Sequence, residues 1–386
     1  MSDNIFPEQL QALQAQGLYR NMVDMHSGAA ATASIAGQTY DVFCSNNYLS
    51  LANHPDMISK IKTGLDTWGF GTGSSRLING NTTVHIALQR RLAKIVHQED
   101  ALIFPTGFMT NYGLLTVLGQ EGDLIIFDKL AHASIIDGAL ASKATVRSFP
   151  HKNYERLIAI LEKKRYKHIY IVSDSIFSMD GDFADIAQLV AIKNKFSATL
   201  IIDEAHAFAA TGPQGVGVSH LQGVLSDVDV YVATFSKALG GAGGFIAANN
   251  TICQMLINHS RSFIYTTGLP AINCIAADTA LDIIAREPQR QKSLWHNCEY
   301  FKKRCQENGI STGDSDSYII PILIGEASKA LAISKALLKK NIMVSAIRPP
   351  TVAPGASRLR ISILNNHNES QLDHLCNTLA NLIENI

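Results

Sequence analysis

Between residues 101 and 250, strand-like apolar segments alternate with helical patterns, and this alternation constrains the fold more than any other feature of the chain. Thr199–Asp203 and Val228–Ala233 are rich in Ile, Val and Leu, which is typical of strands buried on both faces of a sheet. Helical patterns such as Ile186–Lys195 separate these segments. The sequence therefore predicts an α/β protein with a mainly parallel sheet that is covered by helices.

The predicted elements divide the chain into three parts. Residues 1–50 are predicted to form an N-terminal arm with a short strand at Thr39–Phe43, residues 51–275 the large domain, and residues 276–386 a smaller C-terminal α+β domain. Further elements predicted in the large domain are strands at Ala101–Phe104, Asp123–Phe127 and His168–Ser173, and helices at Asn111–Leu118 and Ser134–Ala141. Elements predicted in the C-terminal domain are a helical stretch from Ala276–Arg286 through Arg304, strands at Tyr318–Ile324, Ile342–Ile347 and Arg358–Ile363, and helices at Lys329–Lys340 and from Ser370.

Composition argues against several classes of function. Lys plus Arg and Asp plus Glu both number 33, so the formal net charge is zero and neither nucleic acid nor a membrane is an expected partner. The six cysteines form no C-x-x-C pair, which argues against a zinc site or a disulfide framework and predicts a cytoplasmic location. The N-terminus lacks the pattern of a signal peptide, and no apolar segment approaches the roughly 20 residues that span a bilayer.

A single lysine lies in the segment TFSKALGG, residues 234–241, directly after a predicted strand. The small residues around Lys237 allow a large group to approach the backbone. An amine in an enclosed site has its charged form disfavoured, so it becomes a nucleophile for a carbonyl. The segment predicts a lysine that forms a Schiff base with an aldehyde cofactor. A structural lysine beside a glycine-rich turn is the alternative.

Polar side chains follow other predicted strands, and ligands collect at the carboxyl ends of such strands. Asp203 is expected either to pair with a protonated pyridine nitrogen or to cap a helix or form an ion pair. His206 is expected to contact the phenolic oxygen of such a ring, to transfer a proton, or to be a structural group. His132 is expected to stack on an aromatic cofactor from the face opposite Asp203, or simply to begin a helix. Asp174 and Ser178 lie at the same end of the sheet.

Glycines and arginines mark other candidate binding segments. Pro105–Asn111 joins a strand to a helix, so its free N–H groups are expected to bind phosphate unless it is only a turn. Gly69–Gly80 matches neither a Walker loop nor a dinucleotide fingerprint and is expected to be a mobile or intersubunit loop. Gly240–Gly244 does not imply a nucleotide site either. Arg360 lies in an apolar strand after a proline-stiffened turn that begins at Arg348, and its guanidinium is expected to grip a carboxylate.

Together these segments resemble the pyridoxal-phosphate (PLP) enzymes of the α-oxoamine synthase family, which have the aspartate-aminotransferase-like fold (PLP fold type I). The resemblance covers nearly the whole chain. It rests on SNNYLSLANHP (45–55), GTGSSRLING (71–80), HAS (132–134), FSMDGD (177–182), DEAH (203–206) and TFSKALGG (234–241). The segment IRPPTVAPGASRLR (347–360) resembles the branch of the family that serves biotin biosynthesis.

The resemblance implies roles for individual residues. Lys237 would form the Schiff base, Asp203 would pair with the pyridine nitrogen, and His132 would stack on the ring; these residues and His206 form the expected catalytic set. The remaining expected cofactor contacts are Gly107, Phe108, Ser178, His206 and, for the phosphate, Thr234. The expected substrate contacts are Arg20, Asn46, His132, Thr351 and Arg360, with Arg360 as the carboxylate clamp. The resemblance also implies a homodimer with a shared active site, to which Thr266 and Thr267 reach across, and no metal.

The activity implied is the decarboxylative condensation of L-alanine with pimeloyl-CoA, or with a pimeloyl carrier-protein thioester. The nearest alternative is a sibling synthase that uses another amino acid or acyl-CoA, either a glycine C-acetyltransferase or an enzyme that makes an aminoketone signal. A non-catalytic PLP-binding protein would need no carboxylate clamp. A dinucleotide-dependent oxidoreductase would need a fingerprint that does not follow the first strand.

Two positions depart from the family pattern. Asp174 stands where relatives usually carry glutamate, so its contact is expected to be shorter. Ala207–Ala210 follows the DEAH motif where relatives commonly place glycine, which concerns both the local backbone path and the preference for the acyl substrate.

Overall fold

The computed structural model describes residues 5–385, which form two compact units. The small unit comprises the chain up to Ser50, Met179–Asp182 and the chain from Lys292 onward. The large unit comprises Leu51–Ser178 and Phe183–Gln291. The predicted division into an arm and two domains stays a prediction. Within the described part of the chain, each helix is too short or too polar to traverse a bilayer.

The helices and strands occur in both units. The strands are β1 (Thr32–Ile35), β2 (Gln38–Val42), β3 (Asp100–Phe104), β4 (Leu124–Asp128), β5 (Thr145–Phe149), β6 (Ile169–Asp174), β7 (Thr199–Asp203), β8 (Val230–Thr234), β9 (Gly244–Ala248), β10 (Ile319–Gly325), β11 (Ile342–Met343), β12 (Ser345–Ile347) and β13 (Ser357–Ser362). The α-helices are α1 (Ile5–Ala15), α2 (Pro55–Trp68), α3 (Thr83–Ile95), α4 (Gly107–Leu118), α5 (Ala133–Leu140), α6 (Tyr154–Leu161), α7 (Ile186–Phe196), α8 (Val218–Leu221), α9 (Asn250–His259), α10 (Arg261–Ile264), α11 (Ala271–Arg286), α12 (Gln289–Glu307), α13 (Ala327–Leu338) and α14 (Glu369–Asn385). Short 3₁₀ helices lie at Pro213–Gly215 and Leu225–Asp227.

The large unit is built on a sheet of strand order β3-β9-β8-β7-β6-β4-β5. Strands β5, β4, β6, β7 and β8 pair in parallel, whereas β9 is antiparallel to both of its neighbours. The predicted mainly parallel sheet is therefore present, with β9 as the exception. Only a short loop joins β8 to β9, and so short a connection allows only antiparallel pairing.

The small unit contains two three-stranded sheets, of order β1-β2-β11 and β10-β13-β12. The predicted strand at Ile342–Ile347 is in fact two strands, because β11 pairs with β2 while β12 pairs with β13. On the central strand β13, Arg360 lies opposite Pro321 of β10 and Ser345 of β12. Strand pairing on both sides therefore fixes the backbone that carries Arg360.

A proline explains another difference from the predicted elements. The helical pattern predicted from Ala276 to Arg304 is interrupted, because α11 ends at Arg286 and α12 begins at Gln289. Pro288 lies between the two helices, and a residue that precedes proline is disfavoured in the α conformation.

Aromatic packing supports the turns that follow β7 and β8. The Phe245 ring of β9 lies 5.2 Å from Phe208 and 5.7 Å from Phe235, measured between ring centroids. It also stacks on Tyr231 at 5.9 Å. All four rings are buried. The turn after the DEAH motif and the turn that carries Lys237 therefore rest on one aromatic cluster of the large unit.

Ala209 adopts a conformation that favours glycine. Its φ angle is 74°, and its N–H donates to the carbonyl of Gly215 at 2.6 Å. A residue with a Cβ pays roughly 1–2 kcal/mol in this left-handed region. The departure noted in the sequence at Ala207–Ala210 thus includes a strained backbone position.

We expect Ala209→Gly to be better tolerated than Ala210→Gly by about 1–2 kcal/mol in the free energy of unfolding. Both alanines are buried, so each substitution removes one buried methyl group and adds the same backbone freedom to the unfolded chain. Only position 209 has a left-handed backbone to relieve. Urea titration of the two variants measures the difference, and equal losses at both positions would contradict the strain at Ala209.

Candidate active site

A cavity of about 250 Å³ lies in the large unit, where polar side chains gather at strand ends. Its lining residues are Thr106, Gly107, Phe108, Asn111, His132, Ser134, Asp174, Asp203, Ala205, Val232, Ala233, Thr234, Ser236 and Lys237. The structure thus brings together six of the site residues expected from the sequence: Gly107, Phe108, His132, Asp203, Thr234 and Lys237. They come from segments that follow β3, β4, β7 and β8, whose carboxyl ends meet at one edge of the sheet.

Asp203 is buried at the end of β7 and is held by two donors. The backbone N–H of Ala205 donates to Oδ1 at 2.8 Å. The side-chain amide of Asn111 donates to Oδ2 at 2.6 Å. An ionised carboxylate removed from water needs such donors, and here they also set the plane of the carboxylate.

Asp174 lies beside Asp203 because the parallel register of β6 and β7 pairs the two residues. Its Oδ2 accepts the backbone N–H of His132 at 3.0 Å. Burial, reinforced by the charge of Asp203, raises the pKa of Asp174 well above its usual range. The aspartate that departs from the family pattern therefore supports the backbone of His132 and tends to retain its proton.

His132 both begins a helix and borders the cavity. Its Nδ1 accepts the N–H of Ser134 at 3.3 Å and lies 2.7 Å from the Ser134 hydroxyl, so it caps α5. Because Nδ1 accepts, the neutral ring carries its hydrogen on Nε2. Desolvation lowers the pKa of His132 against the opposing charge of Asp203, with Lys237 contributing to the decrease. The ring is therefore favoured in its neutral form.

The first turn of α4 and the end of β8 form the polar end of the cavity. Thr106 caps α4 by accepting the N–H of Met109 at 3.1 Å. The earlier N–H groups, those of Gly107 and Phe108, have no carbonyl within the helix to bind. The hydroxyl of Thr234 lies 2.8 Å from that of Ser236. Amide and hydroxyl donors at a helix N-terminus are suited to a phosphate.

The glycines after Lys237 have structural roles. Gly244 lets α4 approach the sheet, since a Cβ there would lie 3.0 Å from the Cα of Gly107. Gly240 has φ of 67°, and a Cβ there would clash with the backbone of Ala52. These constraints explain the glycine-rich segment Gly240–Gly244 without a nucleotide.

Lys237 lies on a loop that is closed by hydrogen bonds. The N–H of Phe235 donates to the Gly243 carbonyl at 2.9 Å, and the hydroxyl of Thr234 donates to the same oxygen at 2.7 Å. Within the loop, the N–H of Gly240 donates to the Lys237 carbonyl at 2.9 Å. The half-buried lysine therefore projects from a backbone that is held at both ends.

Other expected cofactor contacts lie outside the cavity lining. Ser178 is half-buried and His206 is buried, and neither borders the cavity within the described residues. Their contacts to a phenolic oxygen stay a prediction. Glu204, which sequence reasoning did not select, is fully buried and accepts the N–H groups of Val218 at 3.0 Å and Ser219 at 2.8 Å. It anchors the DEAH turn.

The expected substrate contacts Asn46, Arg360, Arg20 and Thr351 belong to the small unit. Arg360 is buried, and its Nη1 donates to Oδ1 of Asn46 at 3.2 Å and to the hydroxyl of Ser362 at 2.9 Å. Arg20 and Thr351 are exposed, so the structure joins only two of the four. In the large unit, Thr266 is half-buried and Thr267 is exposed beyond α10.

Residues 42–379 match the family model of aminotransferase class I and II. The chain belongs to this family. It is 38% identical over 384 residues to the 8-amino-7-oxononanoate synthase of Citrifermentans bemidjiense, covering 99% of this chain and 97% of the relative. It is 37% identical over 368 residues to the enzyme of the same name from Pseudomonas putida, covering 95% of this chain and 94% of the relative. The predicted resemblance is confirmed.

Solved structures of similar fold include two transferases. A serine palmitoyltransferase from S. paucimobilis, solved with a bound PLP–myriocin aldimine, has a TM-score of 0.93 and 28% identity, covering 100% of this chain and 98% of that one. An 8-amino-7-oxononanoate synthase from Francisella tularensis has a TM-score of 0.79 and 27% identity, covering 90% and 98%. These similarities confirm the predicted aspartate-aminotransferase-like fold.

We expect Asp174→Asn to stabilise the ligand-free protein increasingly as the pH rises. The folded chain holds the Asp174 proton more tightly than the unfolded chain, so ionisation costs stability from the usual pKa of 3.8 upward, toward the raised folded value. Asparagine cannot ionise, and its oxygen can still accept the His132 N–H. Urea titrations at about pH 5 and about pH 8 measure the difference from wild type.

Ser173→Ala is the control for the Asp174 substitution, because it removes a neighbouring group that does not ionise in this range. A difference between Asp174→Asn and wild type that stays constant, or that shrinks as the pH rises, would exclude a raised pKa at Asp174.

Proposed function

We propose that this protein is a PLP-dependent acyltransferase that condenses L-alanine with pimeloyl-CoA, or with a pimeloyl carrier-protein thioester. The products are 8-amino-7-oxononanoate, CoA and CO₂, and the reaction serves biotin biosynthesis. The observation that carries the proposal is one cavity that joins the Lys237 amine, the Asp203 carboxylate and the His132 ring. Relatives named 8-amino-7-oxononanoate synthase, which match over nearly the whole chain, support the choice of reaction.

The residues of the cavity fit PLP. The N-terminus of α4 and Thr234 supply donors for the phosphate, Asp203 supplies an anion for a protonated ring nitrogen, and Lys237 supplies an amine for the aldehyde. Oδ1 of Asn111 is buried and has no hydrogen-bond partner among the described residues, as a ligand site can leave a polar atom. When bound, PLP supplies an aldehyde that forms an imine and a ring that withdraws electrons from the substrate Cα.

The chain's own residues have separable tasks in the reaction. Lys237 accepts the proton from Cα of alanine and later returns one to the same carbon. Asp203 holds a proton at the ring nitrogen, and His132 covers one face of the ring. Arg360 and Asn46 donate to the carboxylate of the amino acid. His206 and Ser178 keep their proposed contacts to the phenolic oxygen.

The bonds of the substrates change in a fixed order. Cα of alanine loses its proton and forms a bond to the thioester carbonyl carbon, and the C–S bond then breaks to release the thiol of CoA. The bond from Cα to the carboxylate breaks next, releasing CO₂. The electron pair that remains at Cα takes a proton, which gives the aminoketone.

The proposal includes a homodimer in the cytoplasm with a shared active site. In the large unit, Phe70, Ile78 and Tyr265 are exposed by 83%, 80% and 72% respectively. Phe70 and Ile78 belong to the glycine-rich segment expected to be an intersubunit loop, and apolar residues at such exposure favour a protein interface. The six cysteines form no disulfide, which suits a reducing compartment.

A sibling synthase is the second candidate, because serine palmitoyltransferases match the fold with TM-scores of 0.92 and 0.93. Release of CoA separates the candidates. We expect purified protein with PLP to release CoA from pimeloyl-CoA with L-alanine about 100-fold faster than from acetyl-CoA with glycine or palmitoyl-CoA with serine, the range that polar and chain-length discrimination supplies. Faster release with either other pair would overturn the substrate choice.

A lysine variant controls this assay. Lys237→Ala is expected to lose CoA release and to lose the PLP label that borohydride fixes to the wild-type chain, whereas the exposed Lys129→Ala variant should keep both. A label on the wild-type chain with no CoA release from any pair would leave a PLP-binding protein and exclude the enzyme.

We expect Arg360→Lys to raise KM for alanine by about 10- to 100-fold with a smaller effect on kcat, because lysine cannot form the planar two-point contact of a guanidinium with a carboxylate. Arg358→Lys is the matched control two positions away on β13, since Arg358 pairs with Asp180 inside the small unit. Steady-state kinetics with varied alanine give the measurement. Equal increases in KM for both variants would remove Arg360 from the carboxylate site.

A further inference from the structure

Asn111 is a buried polar residue on α4 that the tasks above do not use. It retains 2% of its surface exposed, and it borders the cavity. Its side-chain nitrogen donates to Oδ2 of Asp203 at 2.6 Å and to the hydroxyl oxygen of Ser134 at 2.9 Å. One carboxamide therefore connects the end of β7 to the first turn of α5.

Chemistry fixes which end of the amide faces Asp203. An ionised carboxylate only accepts hydrogen bonds, so the NH₂ group of Asn111 must point toward it. The same NH₂ group has a second hydrogen for Ser134. A hydrogen bond to a charged acceptor is among the stronger ones in proteins, so this contact holds the Asp203 carboxylate in one orientation.

The connection continues from Ser134 to His132. Ser134 is fully buried, and its hydroxyl lies 2.7 Å from Nδ1 of His132. Because the hydroxyl oxygen accepts from Asn111, its hydrogen is available for Nδ1. The donors thus follow one direction, from Asn111 through Ser134 to His132, and the orientation of the imidazole depends on the amide.

Close packing of α4 and α5 makes this connection possible. A Cβ at Gly138 of α5 would lie 2.9 Å from the Cα of Tyr112 and 3.0 Å from the carbonyl oxygen of Asn111. The missing side chain lets the helices approach at the level of Asn111. The amide can therefore reach Ser134 and Asp203 at once.

We propose that Asn111 is a positioning residue that fixes the Asp203 carboxylate and the His132 ring relative to each other. The inference rests on the proposed function, in which these two groups contact opposite parts of one cofactor ring. Asn111 acts through both residues. Without its amide, the carboxylate would rotate and the imidazole would lose its fixed neighbour, so PLP would bind more weakly and in a less defined orientation.

The test measures PLP affinity and the visible circular dichroism of the bound cofactor. Asn111→Ala is expected to raise the dissociation constant of PLP about 10-fold or more, the loss expected for a hydrogen bond to a charged group, and to reduce the dichroic band. Asn111→Asp, which preserves the volume, should lose at least as much, because an acceptor would then face Asp203. Thr116→Val is the matched control on α4: the Thr116 hydroxyl donates to the Tyr112 carbonyl at 2.8 Å and does not border the cavity.

A double-mutant cycle separates positioning from general destabilisation. If Asn111 acts through Asp203, Asn111→Ala should change PLP affinity by less than about twofold in an Asp203→Asn background. An undiminished loss in that background, or unchanged affinity and dichroism in the single variant, would overturn the proposal. If Asn111→Ala does not fold, Asn111→Asp carries the same comparison. Failure of the wild-type protein to bind PLP would instead overturn the proposed function.

Discussion

The parallel register of β6, β7 and β8 is the constraint on which the rest of the site depends. Because these strands run in the same direction and pair without offset at Asp174 and Asp203, their carboxyl ends stop at one edge of the sheet. Each strand then continues directly into a turn that carries a functional side chain. Residues far apart in sequence, such as Asp203 and Lys237, therefore border one cavity without any long loop to position them.

That geometry concentrates carboxyl groups in a buried region, and each is accommodated differently. Asp203 has two hydrogen-bond donors, and Glu204 receives the N–H groups at the start of α8. Asp174 has one backbone donor and a raised pKa, so retention of its proton takes the place of further donors. A site with three ionised neighbours would be costly in a medium of low dielectric constant. The division of roles limits the number of charges near the cavity.

Much of the sheet and the convergence of its side chains could be predicted from the sequence, because apolar segments and the polar residues that end them are local signals. The edge strand β5 was missed since its residues alternate in exposure and include Arg147. The start of β8 was placed too early, because Asp229 binds the N–H of Leu200 with its side chain. Asn111 carried no signal: its partner Asp203 is 92 positions away, and only the fold joins them.

The hydrogen-bonded loop between β8 and β9 has a consequence for how a single amine serves successive steps. The loop carries Lys237 on a backbone closed at Phe235 and Gly243 and buttressed by the aromatic cluster. When a substrate displaces the amine, the nitrogen can swing only on its own four-carbon tether. Its local concentration near the reacting carbon therefore stays very high, as in an intramolecular reaction. The enzyme needs no mobile gate to bring its base back after each exchange.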